Sequence, residues 1–218
     1  MNRYRAISVE GYEEVVRCDN GQAGFSAWIA IHNTNRGPAL GGCRVWNYGS
    51  ADEALEDVLR LSKAMTYKNS LAGLRLGGGK CVVKADLTRI DRAVLFELIG
   101  EFVDTLRGRY ITAEDVNSTV GDMVFVQRAT SHVATVGASG NPSPFTAYGV
   151  YCAIKAGLYF IKGSGELSGL RVAIQGVGET GGRLARLLAA EGCEVMAADI
   201  HRTSLDRLGS MLRFEEID

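Results

Sequence analysis

Two lysines and an aspartate, Lys68, Lys80 and Asp115, fall near the ends of different predicted elements, beside bare backbone at Gly41-Gly42 and Gly77-Gly78-Gly79. One ammonium can hold a carboxylate, and a second, its pKa lowered by burial and by the first, can act as a base near neutral pH. Together the three suit a small anionic substrate. The same residues also fit a plainer account. Lys68 can be a helix lysine with its stem on apolar surface, Lys80 an edge-strand charge and Asp115 a helix cap. Spacing alone leaves both accounts open.

The stretch Gly73 to Val83, GLRLGGGKCVV, also raises the question of a phosphate cradle. A P-loop requires GxxxxGK followed by Ser or Thr, on a path from strand to loop to helix. Here the first glycine position is Leu74, Cys81 follows Lys80, and Cys81-Val82-Val83 reads as a strand. The P-loop is excluded. A different glycine motif fits better. Gly176-Val177-Gly178-Glu179-Thr180-Gly181 matches GxGxxG, after the strand-like Arg171 to Gln175 and before a helix with Leu184, Leu187 and Leu188 on one side. The next strand, Glu194 to Ala198, ends in Asp199, about 20 residues on, as the dinucleotide fingerprint requires. In that fingerprint Gly176, Gly178 and Gly181 supply a tight turn, a close approach for pyrophosphate and close helix packing. Asp199 would accept ribose hydroxyls and repel a 2′-phosphate, favouring NAD over NADP; Arg202 nearby is of the type that accommodates the phosphate.

The elements that must position these residues can be read from pattern. Val15 to Cys18 and Phe25 to Ile31 are extended runs around the turn residues Asp19-Asn20-Gly21, a hairpin signal. Ser50 and Glu53 form a capping box before a helix whose apolar stripe is Ala54, Leu55, Val58, Leu61 and Met65, interrupted by Ser62. Lys68 falls one turn beyond Met65, near the face expected to be buried. Cys81 to Lys84 reads as a strand, Asp91 caps a helix through Leu106, and Tyr110-Ile111-Thr112 is a short strand leading to Asp115. The punctuation GASGNPSP, Gly137 to Pro144, introduces a helix over Thr146 to Ile161 and sets the expected domain boundary, with domains at 1–141 and 142–218.

Composition narrows the function classes. The chain has 218 residues, 46% hydrophobic and 22% charged, with a formal net charge of -1. That balance gives no electrostatic reason to expect nucleic acid or an acidic membrane. No apolar run has the length of a membrane span, and the first residues lack the apolar region of a signal peptide, so the cytoplasm is the expected address. Five cysteines without a CxxC pair read as reduced thiols, and with three scattered histidines no metal site is expected.

Six segments occur together and in order: GPALGGCR (Gly37 to Arg44), MTYKN (Met65 to Asn69), LGGGK (Leu76 to Lys80), YITAEDVN (Tyr110 to Asn117), GNPSPFTAYGVY (Gly140 to Tyr151) and QGVGETG (Gln175 to Gly181). In this the chain resembles the Glu/Leu/Phe/Val dehydrogenase family of amino-acid dehydrogenases over nearly its whole length, and within it the enzymes that act on leucine. The resemblance implies an α/β fold. An N-terminal substrate-binding and oligomerisation domain with a mixed sheet would precede a truncated Rossmann-type dinucleotide-binding domain. It implies a homo-oligomer that reversibly deaminates an apolar L-amino acid with NAD, giving a 2-oxo acid and ammonia. Lys68 would bind the substrate carboxylate, Lys80 would activate water and Asp115 would exchange protons with the amine. Gly41, Gly42, Leu40 and Ala113 would line the substrate site, and Thr146 would join Gly176, Gly178, Gly181 and Asp199 in holding the cofactor. The three glycines before Lys80 would then let substrate and nicotinamide approach the backbone. Apolar Leu40 and Ala113 would leave the second carboxylate of glutamate unpaired, at high cost. Aromatic substrates stay open, because two residues do not define the volume of a pocket.

The chain departs from the family in length. After the second strand of the nucleotide domain it offers only the start of a helix, expected over Thr203 to Leu212, and the residues RFEEID, whereas a complete dinucleotide fold has two βαβαβ halves. An open strand edge and an uncovered apolar face there predict association with another chain or poor order near the C-terminus. A non-catalytic, oligomerising or ligand-binding homologue is therefore the alternative to an enzyme.

Overall fold

Turn residues Gly21 to Gly24 close an antiparallel hairpin between β2 (Glu14–Asn20) and β3 (Phe25–Asn33), in which Asn20 pairs with Phe25. Asp19 and Asn20, expected in the turn, complete the strand, and the Asn20 side chain receives the Ala23 amide at 2.9 Å to hold the loop. The computed structural model describes residues 2–134, 142–209 and 213–214. The chain divides into two units, 1–140 and 141–218. Among the described residues no helix is long and apolar enough to cross a membrane.

In the first unit the hairpin extends into a six-stranded sheet of order β1-β2-β3-β5-β4-β6, with β1 at Arg3–Ala6, β4 at Ala39–Trp46, β5 at Gly77–Lys84 and β6 at Tyr110–Glu114. The sheet is mixed: β1, β2, β3 and β5 pair antiparallel, whereas β4 runs parallel to both β5 and β6. Helices α2 (Arg92–Asp104) and α3 (Val120–Ala129) cover one face over a core that includes Cys43, Cys81, Phe96, Phe102 and Tyr110. Helix α1 (Ala51–Leu71) lies on the other face, with Ala54 and Val58 packed among Trp28, Ala30 and Val82.

Two sequence expectations change here. The capping box at α1 is offset by one residue: Ser50 accepts the Glu53 amide, but the Glu53 carboxylate takes the amide of Gly49. The second change is larger. Gly77, Gly78 and Gly79 are the first residues of β5, which was expected to start at Cys81. Glycine disfavours a strand interior, so propensity hides this. A Cβ at Gly77 would lie 2.1 Å from the Asn33 carbonyl, one at Gly78 2.1 Å from the Thr66 amide, and one at Gly79 2.7 Å from the Tyr110 ring. These glycines admit the protein's own helix and neighbouring strands, so the space expected for substrate and nicotinamide is filled by the fold itself.

In the second unit α4 (Ser143–Lys162) precedes a parallel sheet of order β7-β8-β9, formed by Arg171–Gln175, Glu194–Ala198 and Arg213–Phe214. Helix α5 (Glu179–Ala190) links β7 to β8, and α6 (Arg202–Asp206) follows β8. Ala147, Leu184, Leu188, Val195 and Leu205 form the core. The first two residues of the RFEEID tail form β9, and the helix expected over 203–212 is shorter, with 210–212 outside the described residues. Residues 137–141 of the expected boundary segment are also outside them.

Candidate active site

Helix α1 packs on β3 and β5, barely reaches β4, and leaves the same face of β4 and β6 without a covering helix among the described residues. Side chains alternate across a strand, so Leu40, Gly42 and Arg44 of β4, Gly78 and Lys80 of β5, and Ile111 and Ala113 of β6 all belong to this face. Leu40, Ile111 and Ala113 are half-buried, as expected of a floor that no helix covers.

Glycine sets how closely this floor is woven. A Cβ on Gly41 would sit 1.8 Å from the Gly79 carbonyl oxygen, and one on Gly42 2.5 Å from the Glu114 carbonyl oxygen. With both bare, β4 fits between β5 and β6, and the end of β6 brings Asp115 to Lys80. The Lys80 Nζ lies 3.0 Å from Asp115 Oδ2. Lys80 is only 4% exposed, so its account as an edge-strand charge fails, and β5 is an interior strand. Burial pushes the Lys80 amine below the ordinary lysine range, and the neighbouring carboxylate recovers only part of that shift. For Asp115 burial alone would raise the carboxyl; Lys80 and then Arg44 outweigh it and hold the group below the usual range. The result is a buried amine that gives up its proton more readily than a free lysine, against a carboxylate that stays ionised. Asp115 does not cap a helix. Its own amide donates to Ser118 Oγ, which also bonds the Cys43 carbonyl at 2.6 Å and so ties the loop to β4.

Lys68 lies elsewhere than pattern suggested. The buried residues of α1 are Ala54, Val58, Ser62 and Asn69, so the apparent interruption at Ser62 is the centre of the buried face, and Lys68 is exposed. Asn69 donates to the Gly77 carbonyl at 2.6 Å, and Thr66 sits over Gly78. Lys68 follows Asp57 by 11 residues, close to three full turns, so both occupy one flank of α1. Asp57 bonds Arg44 of β4. That flank therefore faces the uncovered floor, with Lys68 level with the Leu40–Gly78 end and Lys80 two residues farther along β5.

Sequence reasoning missed Arg44, Asp57 and Tyr48, which are joined to Asp115 by hydrogen bonds. Their signal was alternation: Arg44 follows Gly42 by two, on the same face, but β4 itself was not foreseen. Glu114 was missed as well. It belongs to the opposite face, with both carboxylate oxygens buried and without a hydrogen-bond partner among the described residues.

In the second unit the three motif glycines differ in a telling way. Gly176 has φ +85°, where glycine alone is unstrained, and its amide bonds the Ala198 carbonyl at 2.7 Å. A Cβ on Gly181 would lie 1.9 Å from the Gly176 oxygen, so the helix packs against the turn. A Cβ on Gly178 would meet nothing within 4 Å, and this residue opens α5 without a side-chain cap. Open space before uncapped helix amides suits the pyrophosphate of a dinucleotide. Asp199 is anchored by the Val177 amide to Oδ2 and the His201 amide to Oδ1, each at 2.8 Å, and these bonds hold its carboxyl below the ordinary range. Each oxygen keeps a lone pair for a ribose hydroxyl. Arg202 is paired with Asp206. Thr146 lies exposed in the first turn of α4, its hydroxyl 3.2 Å from the Pro142 carbonyl.

The mixed sheet of the first unit and the parallel βαβ of the second define a two-unit α/β protein whose second unit opens as a Rossmann-type fold. The chain belongs to the Glu/Leu/Phe/Val dehydrogenase family: the family model for the dimerisation domain matches residues 9–132. It is 46% identical over 211 residues to leucine dehydrogenase of Geobacillus stearothermophilus, covering 95% of this chain and 58% of that protein. To phenylalanine dehydrogenase of Thermoactinomyces intermedius it is 44% identical over 212 residues, covering 95% and 56%. The crystal structure of L-tryptophan dehydrogenase from Nostoc punctiforme superposes with a TM-score of 0.69 at 35% identity, covering 94% of this chain and 59% of that one. The chain thus spans little more than half the length of these relatives.

Proposed function

We propose that the protein oxidatively deaminates an apolar L-amino acid, reversibly, to the 2-oxo acid and ammonia with NAD. The observation that carries this reading is the buried Lys80 amine, held by Asp115 beside the part of the sheet face, over β4 and β6, that no helix covers among the described residues. Lys68, exposed on the flank of α1, would bind the substrate carboxylate. Asp115 takes a proton from the substrate ammonium, so that the amine lone pair can form the C=N bond. Lys80, neutral, removes a proton from water as its oxygen bonds to Cα. Asp115 then returns its proton to nitrogen, the C–N bond breaks with its pair leaving on ammonia, and the C=O bond forms as the remaining O–H proton passes to the departing ammonia. Leu40 and Ala113 bring no charge to the floor, which supports an apolar substrate over glutamate.

Gly176, Gly178, Gly181, Asp199 and Thr146 are the residues we assign to NAD. Bound there, NAD would accept the hydride from Cα. The bare Gly178 and the anchored Asp199 carboxylate support a pyrophosphate and an unphosphorylated ribose respectively. Self-association is also part of this reading, supported by the match to a dimerisation domain.

The test is NADH absorbance with a panel of L-amino acids at mildly alkaline pH, beside a fluorescence titration with NADH. Signal with leucine, valine or isoleucine supports the assignment, and signal with phenylalanine or tryptophan alone moves it to aromatic substrates. Saturable NADH binding without turnover on any amino acid would refute catalysis by this chain, and no binding would leave a non-catalytic homologue.

A further inference from the structure

The ionic contacts of Asp115 do not stop at Lys80. Arg44 places Nε 2.9 Å from the same oxygen, Oδ2, and Nη1 3.0 Å from Asp57 Oδ2. Asp57 is held in turn by the Tyr48 hydroxyl at 2.7 Å and by Arg60 at 2.6 Å. The Arg44 and Asp57 side chains are 23% and 15% exposed, enough enclosure to hold the planar fork in one geometry. Both cations touch Oδ2, and Oδ1 of Asp115 bonds no described residue.

We propose that Arg44, braced by Asp57 and Tyr48, is a positioning residue that fixes the Asp115 carboxylate through Oδ2 and keeps Oδ1 turned to the substrate amine. The proposal rests on the roles given above to Asp115 and Lys80. A lysine at position 44 could not replace this arrangement, because a single ammonium lacks the fork that spans two carboxylates. The guanidinium also sets charge. It adds to Lys80 in holding Asp115 down, and adds to burial in lowering Lys80. The charged and titratable groups around the pair include Arg44 and Cys43 of β4, Cys81 of β5, Tyr110 of β6, Asp57 and Arg60 of α1, and Tyr48, with Glu114 on the opposite face. Loss of Arg44 therefore raises both groups, and Lys80 becomes a base only at higher pH.

Arg44→Gln should lower kcat about 10- to 100-fold and move the acid limb of the kcat/KM profile upward by about one pH unit. Arg44→Lys, which keeps the charge, should lose rate with a smaller displacement of that limb. Arg44 borders a cavity of about 600 Å³ lined also by Trp46, Tyr48 and Asp57. Guanidinium can therefore reach the gap in Arg44→Gly and should restore part of the rate together with the position of the acid limb. A carbon-13 titration of the Asp115 carboxyl, assigned with Asp115→Asn, reads the same relationship without turnover. An upward shift in Arg44→Gln supports the proposal even if no amino acid is oxidised, which would refute only the parent reading. An unchanged Asp115 titration, or an active enzyme whose rate and pH profile ignore Arg44→Gln, overturns it. If Arg44→Gln does not fold, Arg44→Lys decides: wild-type rate in that variant overturns the need for a fork.

Discussion

Lys80 and Asp115 form an ion pair of 3.0 Å in which the lysine side chain is 5% exposed and the aspartate 25%. The partner that must lose a proton to work as a base is the more deeply buried, and the carboxylate that must be ionised to accept the substrate's proton keeps contact with solvent. Removing the lysine therefore separates chemistry from nucleotide binding. Lys80→Ala should lower kcat about 10²- to 10⁴-fold, the range of a general base, while the Kd for NADH is unchanged. Parallel loss of both would place Lys80 in a structural role.

The lowered Lys80 amine also sets a pH dependence. Water activation needs the neutral amine, so kcat/KM should rise with pH and reach its plateau below the ordinary lysine pKa of about 10.4. A profile still climbing at that pH would assign the limb to some other group.

Asp122 tests the support beneath the site. It caps α3, receiving the Thr119 amide at 2.8 Å, and accepts Arg92 Nε of α2 at 3.0 Å. Burial alone would raise its carboxyl, but Arg92 and Thr119 hold it low. Asp122→Ala should cost about 2–4 kcal/mol in urea unfolding at pH 7. Because the folded pKa is depressed, this stability is present above the unfolded value of about 3.9 and is lost as pH falls through the folded one. The gap between wild type and variant should narrow accordingly, and a gap that stays constant down to pH 3 would show that the ionised form is not what stabilises.

Two glycine substitutions should have opposite signatures. Gly41→Ala drives a Cβ into the Gly79 carbonyl oxygen and should destabilise by about 3 kcal/mol or more. Gly178→Ala meets open space at φ −66° and should change stability by under about 0.5 kcal/mol, yet weaken NADH at least about tenfold. Unaltered NADH affinity would remove Gly178 from the cofactor site.

Asp199→Asn keeps an oxygen for one backbone amide and loses the charge, so discrimination against NADP should fall. The ratio of NADP to NAD affinities measures it, and an unchanged ratio would place the selectivity elsewhere.

Much of the second unit was legible because its logic is local. The turn, the helix start and Asp199 lie within a short stretch, and period and glycine spacing report them directly. The first unit was harder, since its site is assembled by strand order. The central position of β5 and the parallel pairing of β4 with β6 follow from long-range packing, and glycine-rich strands carry no propensity signal at Gly77 to Gly79 or Gly41-Gly42. Lys68 was misplaced for a related reason. Buried Ser62 and Asn69 are polar and look like solvent positions until the glycines of β5 reveal how closely α1 approaches.

The crowding around Gly77 to Gly79 bears on how sequence variation in this segment should be interpreted. In a randomised library selected only for folded protein, all three glycines would persist, each forced by a different neighbour. Lys80 beside them would drift toward methionine or leucine, since a buried ion pair is readily replaced by apolar packing. Invariance of the glycines thus reports architecture, and the chemical constraint on this strand is written in a single position.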